Sequence, residues 1–283
     1  MNIKNACLFC LSIPVLILMY SCRHDDDPKI DSCLPVSLQS NTDSIVFQYN
    51  NQKRLTASRF YFSSQYLTGS NEFEYNSKGQ LITLKNFEHK IFSNEIFLKA
   101  TYILEYNDMG LPSVLHTTHQ NQINTEIRTE FIHDDEDRLA SASIKLVSKK
   151  TSYESAGYRY EYDDKDNVVK IFYKVRLNNS QAFTEVLARE NSRFDDSPVF
   201  YKNSADLRIA NIYMYSYVPS NNNCLLAKVY YPDFNSHFVV PEEFEFISSY
   251  DQNGLITQLV DPYYRAQLYF NEALFTKVSY DCK

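Results

Sequence analysis

The chain has 283 residues, 44% of them hydrophobic and 15% aromatic, with 23 Tyr, 19 Phe, no Trp and five glycines. That apolar share is too high for a disordered tail, and the richness in aromatic and β-branched residues leans towards strands. Glycines only at 69, 79, 110, 157 and 254 cannot write a phosphate cradle or a G-x-S-x-G elbow, and a net charge of −7 without a basic stripe argues against nucleic-acid binding.

At the N-terminus, Lys4 precedes an apolar run from Ala6 to Tyr20, interrupted by Ser12 and Pro14. The run is too short to span a bilayer as a helix and fits the core of a signal peptide, assigned to residues 1–21. Met19-Tyr20-Ser21-Cys22 resembles a bacterial lipobox, which implies acylation of Cys22; Tyr20 is bulkier than the strict motif prefers. The Arg23-His24-Asp25-Asp26-Asp27 cluster resembles the tag that exports such lipoproteins to the outer face of the outer membrane. Residues 22–32 then form a lipidated acidic tether, and residues 33–283 a single domain.

Cys7 and Cys10 leave with the signal peptide, so Cys33, Cys224 and Cys282 remain as thiols in an oxidising compartment. Three thiols allow one bridge. Cys33–Cys282, joining the two ends of the domain, is the favoured pairing, with those involving Cys224 left open. No C-x-x-C pair survives for a structural metal.

A repeat dominates the rest. Tyr49-Asn50-Asn51-Gln52-Lys53-Arg54-Leu55 opens it. Tyr75-Asn76-Ser77-Lys78-Gly79-Gln80-Leu81 and Tyr106-Asn107-Asp108-Met109-Gly110-Leu111-Pro112 follow. Degenerate copies begin at His133 and Tyr162, a variant runs from Phe194 to Pro198, and a full copy returns as Tyr250-Asp251-Gln252-Asn253-Gly254-Leu255-Ile256. The anchors recur every 26–32 residues except for one double gap, near which Ser220-Asn221-Asn222-Asn223 supplies turn chemistry. Physically the unit is a β-hairpin. Asn or Asp after the aromatic bonds the backbone two residues on, and glycine four residues after it accepts positive φ. Asp137 and Asp166 replace glycine in the degenerate copies, as Asp tolerates that region better than most residues. Each period holds one fixed and one variable turn, the latter expected at Thr68-Gly69-Ser70-Asn71, Gln120-Asn121-Gln122 and Asn178-Asn179-Ser180.

Few residues suggest chemistry. His116 and His119 would point to opposite faces of a strand, so they share no metal. His133 stands at a repeat anchor and reads as structural. Asp134, Asp135 and Asp137, like Asp163, Asp164 and Asp166, lack calcium-loop spacing and coincide with turns. Tyr158, Tyr160 and Tyr162 share one face against Arg159 and Glu161, as do Tyr213, Tyr215 and Tyr217; both stripes read as packed sheet. Glu242, Glu243 and Glu245 could supply a carboxylate pair of the kind glycosidases use. No catalytic, cofactor-binding or metal residue is assigned, and no cofactor is expected.

The Tyr-(Asn/Asp)-x-x-Gly-x-Leu unit, carried by Tyr75, Gly79, Tyr106, Gly110, Tyr250 and Gly254, resembles the YD repeats of Rhs-type proteins. Together with the lipobox, the terminal cysteines and the 194–198 variant, it resembles a Bacteroidetes lipoprotein domain of unknown function with a porin-like fold. The resemblance covers residues 33–282. It departs from the pattern at His133, Asp137 and Asp166 and between 200 and 240. That family offers no catalytic residues to transfer. Fourteen to eighteen antiparallel strands are expected, in an all-β meander of hairpins curled or closed into a barrel-like sheet. Charged residues within the strands and a non-aromatic C-terminus argue for lipid anchoring over spanning. The expected role is a surface binding or scaffold module for a glycan, peptide or partner protein, not an enzyme. A polymer hydrolase and an outer-membrane pore stand as alternatives.

Overall fold

A computed structural model of the chain describes residues 33–40, 42–63, 65–91, 93, 95–121, 125–148, 151–176, 182–199, 220–230, 241–260 and 276–282. Cys22, the 23–27 cluster, the turn expected at 178–180 and the tyrosines at 213–217 lie outside these residues.

Seventeen strands and no helix make up the described residues. The first five are β1 (Cys33–Gln39), β2 (Asp43–Tyr49), β3 (Leu55–Phe62), β4 (Tyr66–Tyr75) and β5 (Leu81–His89). Then come β6 (Ile96–Tyr106), β7 (Pro112–His119), β8 (Thr125–His133), β9 (Leu139–Ser148), β10 (Ser152–Tyr162) and β11 (Val168–Val175). The last six are β12 (Thr184–Pro198), β13 (Asn222–Tyr230), β14 (Pro241–Glu245), β15 (Ile247–Tyr250), β16 (Ile256–Val260) and β17 (Thr276–Cys282). Each strand pairs antiparallel with the next, save that β14 and β15 are two halves of one bent strand around Phe246. The first half pairs with β13 and the second with β16. The meander curls until β17 pairs with β1, which nearly closes it into a barrel. Cys33 and Cys282 lie opposite each other at that seam and are joined by a disulfide.

Alternation decides which side of the sheet faces in. On β4, Asn71 and Phe73 are buried and Tyr75 half-buried, while Glu72 and Glu74 are exposed. Leu55, Phe73, Leu81 and Leu84 form one buried cluster, joined by Phe47, Tyr49, Tyr75 and Tyr102 from neighbouring strands. Val199, just past β12 on a distant part of the ring, packs against the same cluster. Only the concave face lets two such walls meet, so the apolar face is interior. A second cluster joins Leu139, Tyr160, Val168 and Ile171, and a third joins Cys224, Ala227 and Phe246. Burying one such leucine contributes roughly 1.5–3 kcal/mol. Two polar rungs interrupt the apolar face: Asn71 Nδ2 donates to Ser58 Oγ at 3.1 Å, and Asn86 Nδ2 to Asn71 Oδ1 at 2.8 Å.

The outer face carries charge. Lys85 pairs with Glu74 at 2.6 Å, Lys145 with Glu130 at 2.6 Å, Arg159 with Glu161 at 2.7 Å, and Arg193 with Glu245 at 2.6 Å. Ile103, Ile132 and Ile247 stand exposed on the same face.

Six fixed turns share one geometry. The residue four after the anchor takes positive φ in each: Lys53 (60°), Gly79 (77°), Gly110 (80°), Asp137 (60°), Asp166 (61°) and Gly254 (76°). In every case the register slips just before the anchor, the mark of a bulge closing a short hairpin loop. The carboxamide or carboxylate after the anchor explains the turn. Asn76 Oδ1 accepts from the N–H groups of Lys78 and Gln80, each at 2.9 Å, and Asp134, Asp163 and Asp251 repeat that pair.

Two sequence expectations need correction. Thr68-Gly69-Ser70-Asn71 is no turn but the interior of β4; the reversal falls between β3 and β4, where the Gln65 N–H donates to the Phe62 carbonyl at 3.2 Å. Gly69 suits that place, since a Cβ there would sit a tight 3.1 Å from the Phe87 carbonyl oxygen on the next strand. The copy from Phe194 to Pro198 keeps only the Asp195 Oδ1 contact with the Ser197 N–H, at 3.0 Å, and β12 runs on through it without a reversal.

Candidate functional site

Strand direction sorts the molecule into two ends. The six fixed turns lie at one end, and β1 starts there too, because it runs from Cys33 towards the β1–β2 turn. The hairpins of variable length occupy the other end.

The fixed-turn end is knitted by its anchors. Tyr75 Oη donates to the Leu55 carbonyl at 2.6 Å, Tyr106 Oη to Leu81 at 2.7 Å, and Tyr162 Oη to Leu139 at 2.8 Å. Each hydroxyl thus bonds the first strand residue after the preceding repeat's turn. Arginines reinforce this: Arg54 lies 4.6 Å from the Tyr75 ring centroid and donates to the Gly79 carbonyl, and Arg138 stacks on Tyr162 at 4.6 Å and bonds Asp166 at 2.9 Å. His133, at an anchor, has its imidazole pKa pushed down by burial against the opposing pull of Asp137 and Asp134. Phe194 has no hydroxyl; Asn191 Nδ2 reaches the Val168 carbonyl instead, at 2.6 Å.

These contacts place the acidic clusters. Asp134 and Asp163 accept turn N–H groups, Asp166 holds Arg138, and no group of three or more acidic, His or Cys side chains suited to a metal occurs among the described residues. Glu243 and Glu245 face Lys228 at 3.7 Å and Arg193 at 2.6 Å, so each of the two has a cation beside it. Tyr158 and Tyr160 stack at 6.5 Å in the packed interior, and burial pushes the Tyr160 hydroxyl pKa up.

Sequence reasoning missed two clusters. His116 Nε2 meets Glu105 at 3.1 Å and its Nδ1 meets Glu126, a bridge across β6, β7 and β8 on the outer face. Asp195, Asn223 and Tyr250 converge where β12, β13 and β15 meet. Asn223 Nδ2 lies 3.3 Å from Asp195 Oδ1 and 3.2 Å from Tyr250 Oη, which donates to Asp195. Burial pushes the Asp195 carboxyl up, opposed by the N–H groups of Ser197 and Asn223. Nothing in local sequence links positions this far apart.

Among the described residues, the variable-hairpin end presents a set of exposed apolar side chains. Phe62, Tyr66, Ile91, Ile96, Phe97 and Tyr153 are all exposed there, Ile96 at 60%. Lys90 lies 4.8 Å over the Phe97 ring, and Arg176 lies 4.6 Å over Phe183. A rim of aromatic and aliphatic side chains flanked by cations suits contact with a partner surface.

No protein-family model matches the chain. No curated protein matches it either. Among solved structures, a porin-like protein from Bacteroides uniformis is similar at 14% identity and a TM-score of 0.42, over 89% of this chain and 96% of that one. The Tc holotoxin pore of Photorhabdus luminescens is similar at 12% identity and a TM-score of 0.32, over 77% of this chain but 12% of that one. A TcdB2–TccC3 structure gives the same identity, TM-score and coverage.

Proposed function

We propose that the chain is a lipid-anchored envelope protein whose barrel-like sheet stands in water and serves as a binding or scaffold module. The single observation that carries this reading is the ion-paired outer face. A membrane-spanning barrel needs an outward apolar band about 25 Å tall. Here Glu74, Lys85, Glu130, Lys145, Arg159 and Arg193 stand at outward positions, and lipid would strip each of water at a cost of several kcal/mol. The apolar face points inward. Such a sheet stays outside the bilayer and reaches it through the tether.

The tether sets orientation. β1 begins with Cys33 at the fixed-turn end, so an anchor at Cys22, eleven residues earlier in sequence, attaches the sheet from that end. The fixed turns then face the lipid, and the rim of Phe62, Tyr66, Ile96 and Phe97 faces away from it, towards a glycan, peptide or partner protein.

The test uses cells expressing the full chain, fed an alkyne-tagged palmitate and then shaved with protease. Wild type should carry label and be digested from outside. Cys22→Ala should lose the label, and changing Asp25, Asp26 and Asp27 to Ala should keep the label but gain protection. A labelled protein equally protected with and without the acidic cluster refutes surface display; label retained in Cys22→Ala refutes the anchor.

A further inference from the structure

The concave face changes character along β3 to β6. Towards the fixed turns it is filled by the Leu55, Phe73, Leu81 and Leu84 cluster. Next comes the polar rung of Ser58, Asn71 and Asn86. Beyond the rung, register sets Phe60, Gly69, Glu88 and Phe97 side by side on four successive strands, and Phe62 opposite Tyr66 one inward position further out. Directly paired residues share a face, and Gly69 and Glu88 each lie two residues from a rung asparagine, so all six positions face inward. Phe62, Tyr66 and Phe97 are nevertheless 50%, 45% and 45% exposed, so these rings line an open lip. Gly69 leaves a dent in its middle, where the Phe60 ring lies 3.6 Å from the place a Cβ would take.

The charge at this lip is negative. Glu88 is exposed and makes no ion pair among the described residues, whereas Glu74 and Glu130 on the outer face hold Lys85 and Lys145 at 2.6 Å. Arg59 and Lys85, on β3 and β5, take outward positions. Lys90, just past β5, lies 4.8 Å over the Phe97 ring with its ammonium tied to Glu95 at 2.8 Å, so that ring already takes a cation of the chain's own. Resting on the binding role proposed above, we propose that the lip takes a peptide segment carrying both apolar and basic side chains. The rings of Phe62, Tyr66 and Phe97 cover the apolar ones, and Glu88 with the ring faces holds the basic one. Strands about 4.8 Å apart put Phe62 on β3 and Phe97 on β6 about 14 Å apart along the sheet, the length of about four extended residues. An acidic glycan would be repelled by Glu88, and a neutral one would leave its charge unanswered.

The experiment titrates the full chain into fluorescently labelled peptides of four Lys-Phe, four Glu-Phe or four Lys-Ser repeats and follows anisotropy. The Lys-Phe peptide should bind tightest. Glu88→Gln and Phe97→Ser should each weaken it about fivefold or more. Asp135→Asn and Glu136→Gln, exposed carboxylates at a fixed turn, should leave it unchanged. Circular dichroism checks that each variant keeps its strands, and Phe62→Ser serves if Phe97→Ser does not fold. Equal binding of the Glu-Phe peptide overturns the proposal. So do losses as large in the fixed-turn variants, since the peptide would then answer to the acidity of the whole protein. A labelled neutral hexasaccharide separates this proposal from the binding role beneath it. If the sugar binds and weakens in Phe97→Ser while the Lys-Phe peptide does not bind, the peptide falls and the binding role stands. If no probe binds in a way that Phe97→Ser alters, both fall.

Discussion

Replacing Gly254 with Ala isolates what the repeat turn demands of its fifth residue. Gly254 sits at φ 76°, and a Cβ built there meets nothing within 4 Å. The substitution therefore causes no clash with neighbouring side chains, and its cost is the backbone alone. Holding an L-residue in the left-handed region costs roughly 1–2 kcal/mol. Ala also restricts the unfolded chain, which returns part of this, about 0.4–1 kcal/mol. The expected net loss is about 1 kcal/mol, a fall in melting temperature of about 2–4 °C for a domain of this size. The converse change at the same turn position, Asp137→Gly, should gain about 0.5 kcal/mol, because Asp137 already pays for its φ of 60°. Urea unfolding followed by circular dichroism, with both variants and the double mutant, measures the two signs and their additivity, since the turns belong to separate hairpins. A neutral or stabilising Gly254→Ala, or an Asp137→Gly that loses stability, would refute the assignment of this position to one shared turn geometry.

Reducing the Cys33–Cys282 bridge opens a loop of 249 residues, so melting with and without reductant should differ by up to about 5 kcal/mol by loop entropy; an unchanged melting temperature would show that β1–β17 pairing alone seals the seam. Tyr75→Phe removes the 2.6 Å bond to the Leu55 carbonyl while keeping the ring, and should cost about 0.5–1.5 kcal/mol in the same unfolding assay, against no effect if the hydroxyl is idle. His133→Tyr changes the pH dependence. Burial lowers the folded pKa of His133 below its unfolded value, so the unfolded chain binds the proton more readily and wild type loses stability as pH falls through about 6.5. The Tyr variant lacks that loss, so its advantage should widen between pH 8 and pH 5, and a constant difference across that range would contradict the burial of His133.

The fold was legible because a hairpin is a local object. Tyr75, Asn76, Gly79 and Leu81 lie within seven residues, and the chemistry that closes the turn is written inside them: an Asx oxygen for two N–H groups and a glycine for positive φ. Repetition then fixed the topology, since identical short hairpins leave a meander as the simple solution. Thr68-Gly69-Ser70-Asn71 failed for a reason of the same kind inverted. Its turn-like composition answers to neighbouring strands, Gly69 to the Phe87 carbonyl and Asn71 to Ser58 and Asn86, and those partners are set by register that composition does not encode. His116 shows the limit from the other side. Its relation to His119 is readable at strand spacing, but its contacts with Glu105 and Glu126 come from two other strands.

The eroded repeat extends that reasoning to function. A perfect meander of this length would curl into a sheet whose interior has nothing to fill it but its own side chains. Where the pattern is intact, each anchor hydroxyl binds the ring to itself. Where it fails, at Phe194 and around Ser220, the backbone finds partners at Val168 and Asn167 beside neighbouring β11 and, through Val199, at the Leu55 cluster. Loss of the repeat signal at Phe194 and Ser220 therefore exchanges one set of backbone partners for another. The six fixed turns close the hairpins at one end of the sheet. What distinguishes the opposite end is its set of unequal hairpins and the exposed aromatics they carry, so variation in those hairpins is free to alter the contact surface while the turns that close the sheet stay untouched.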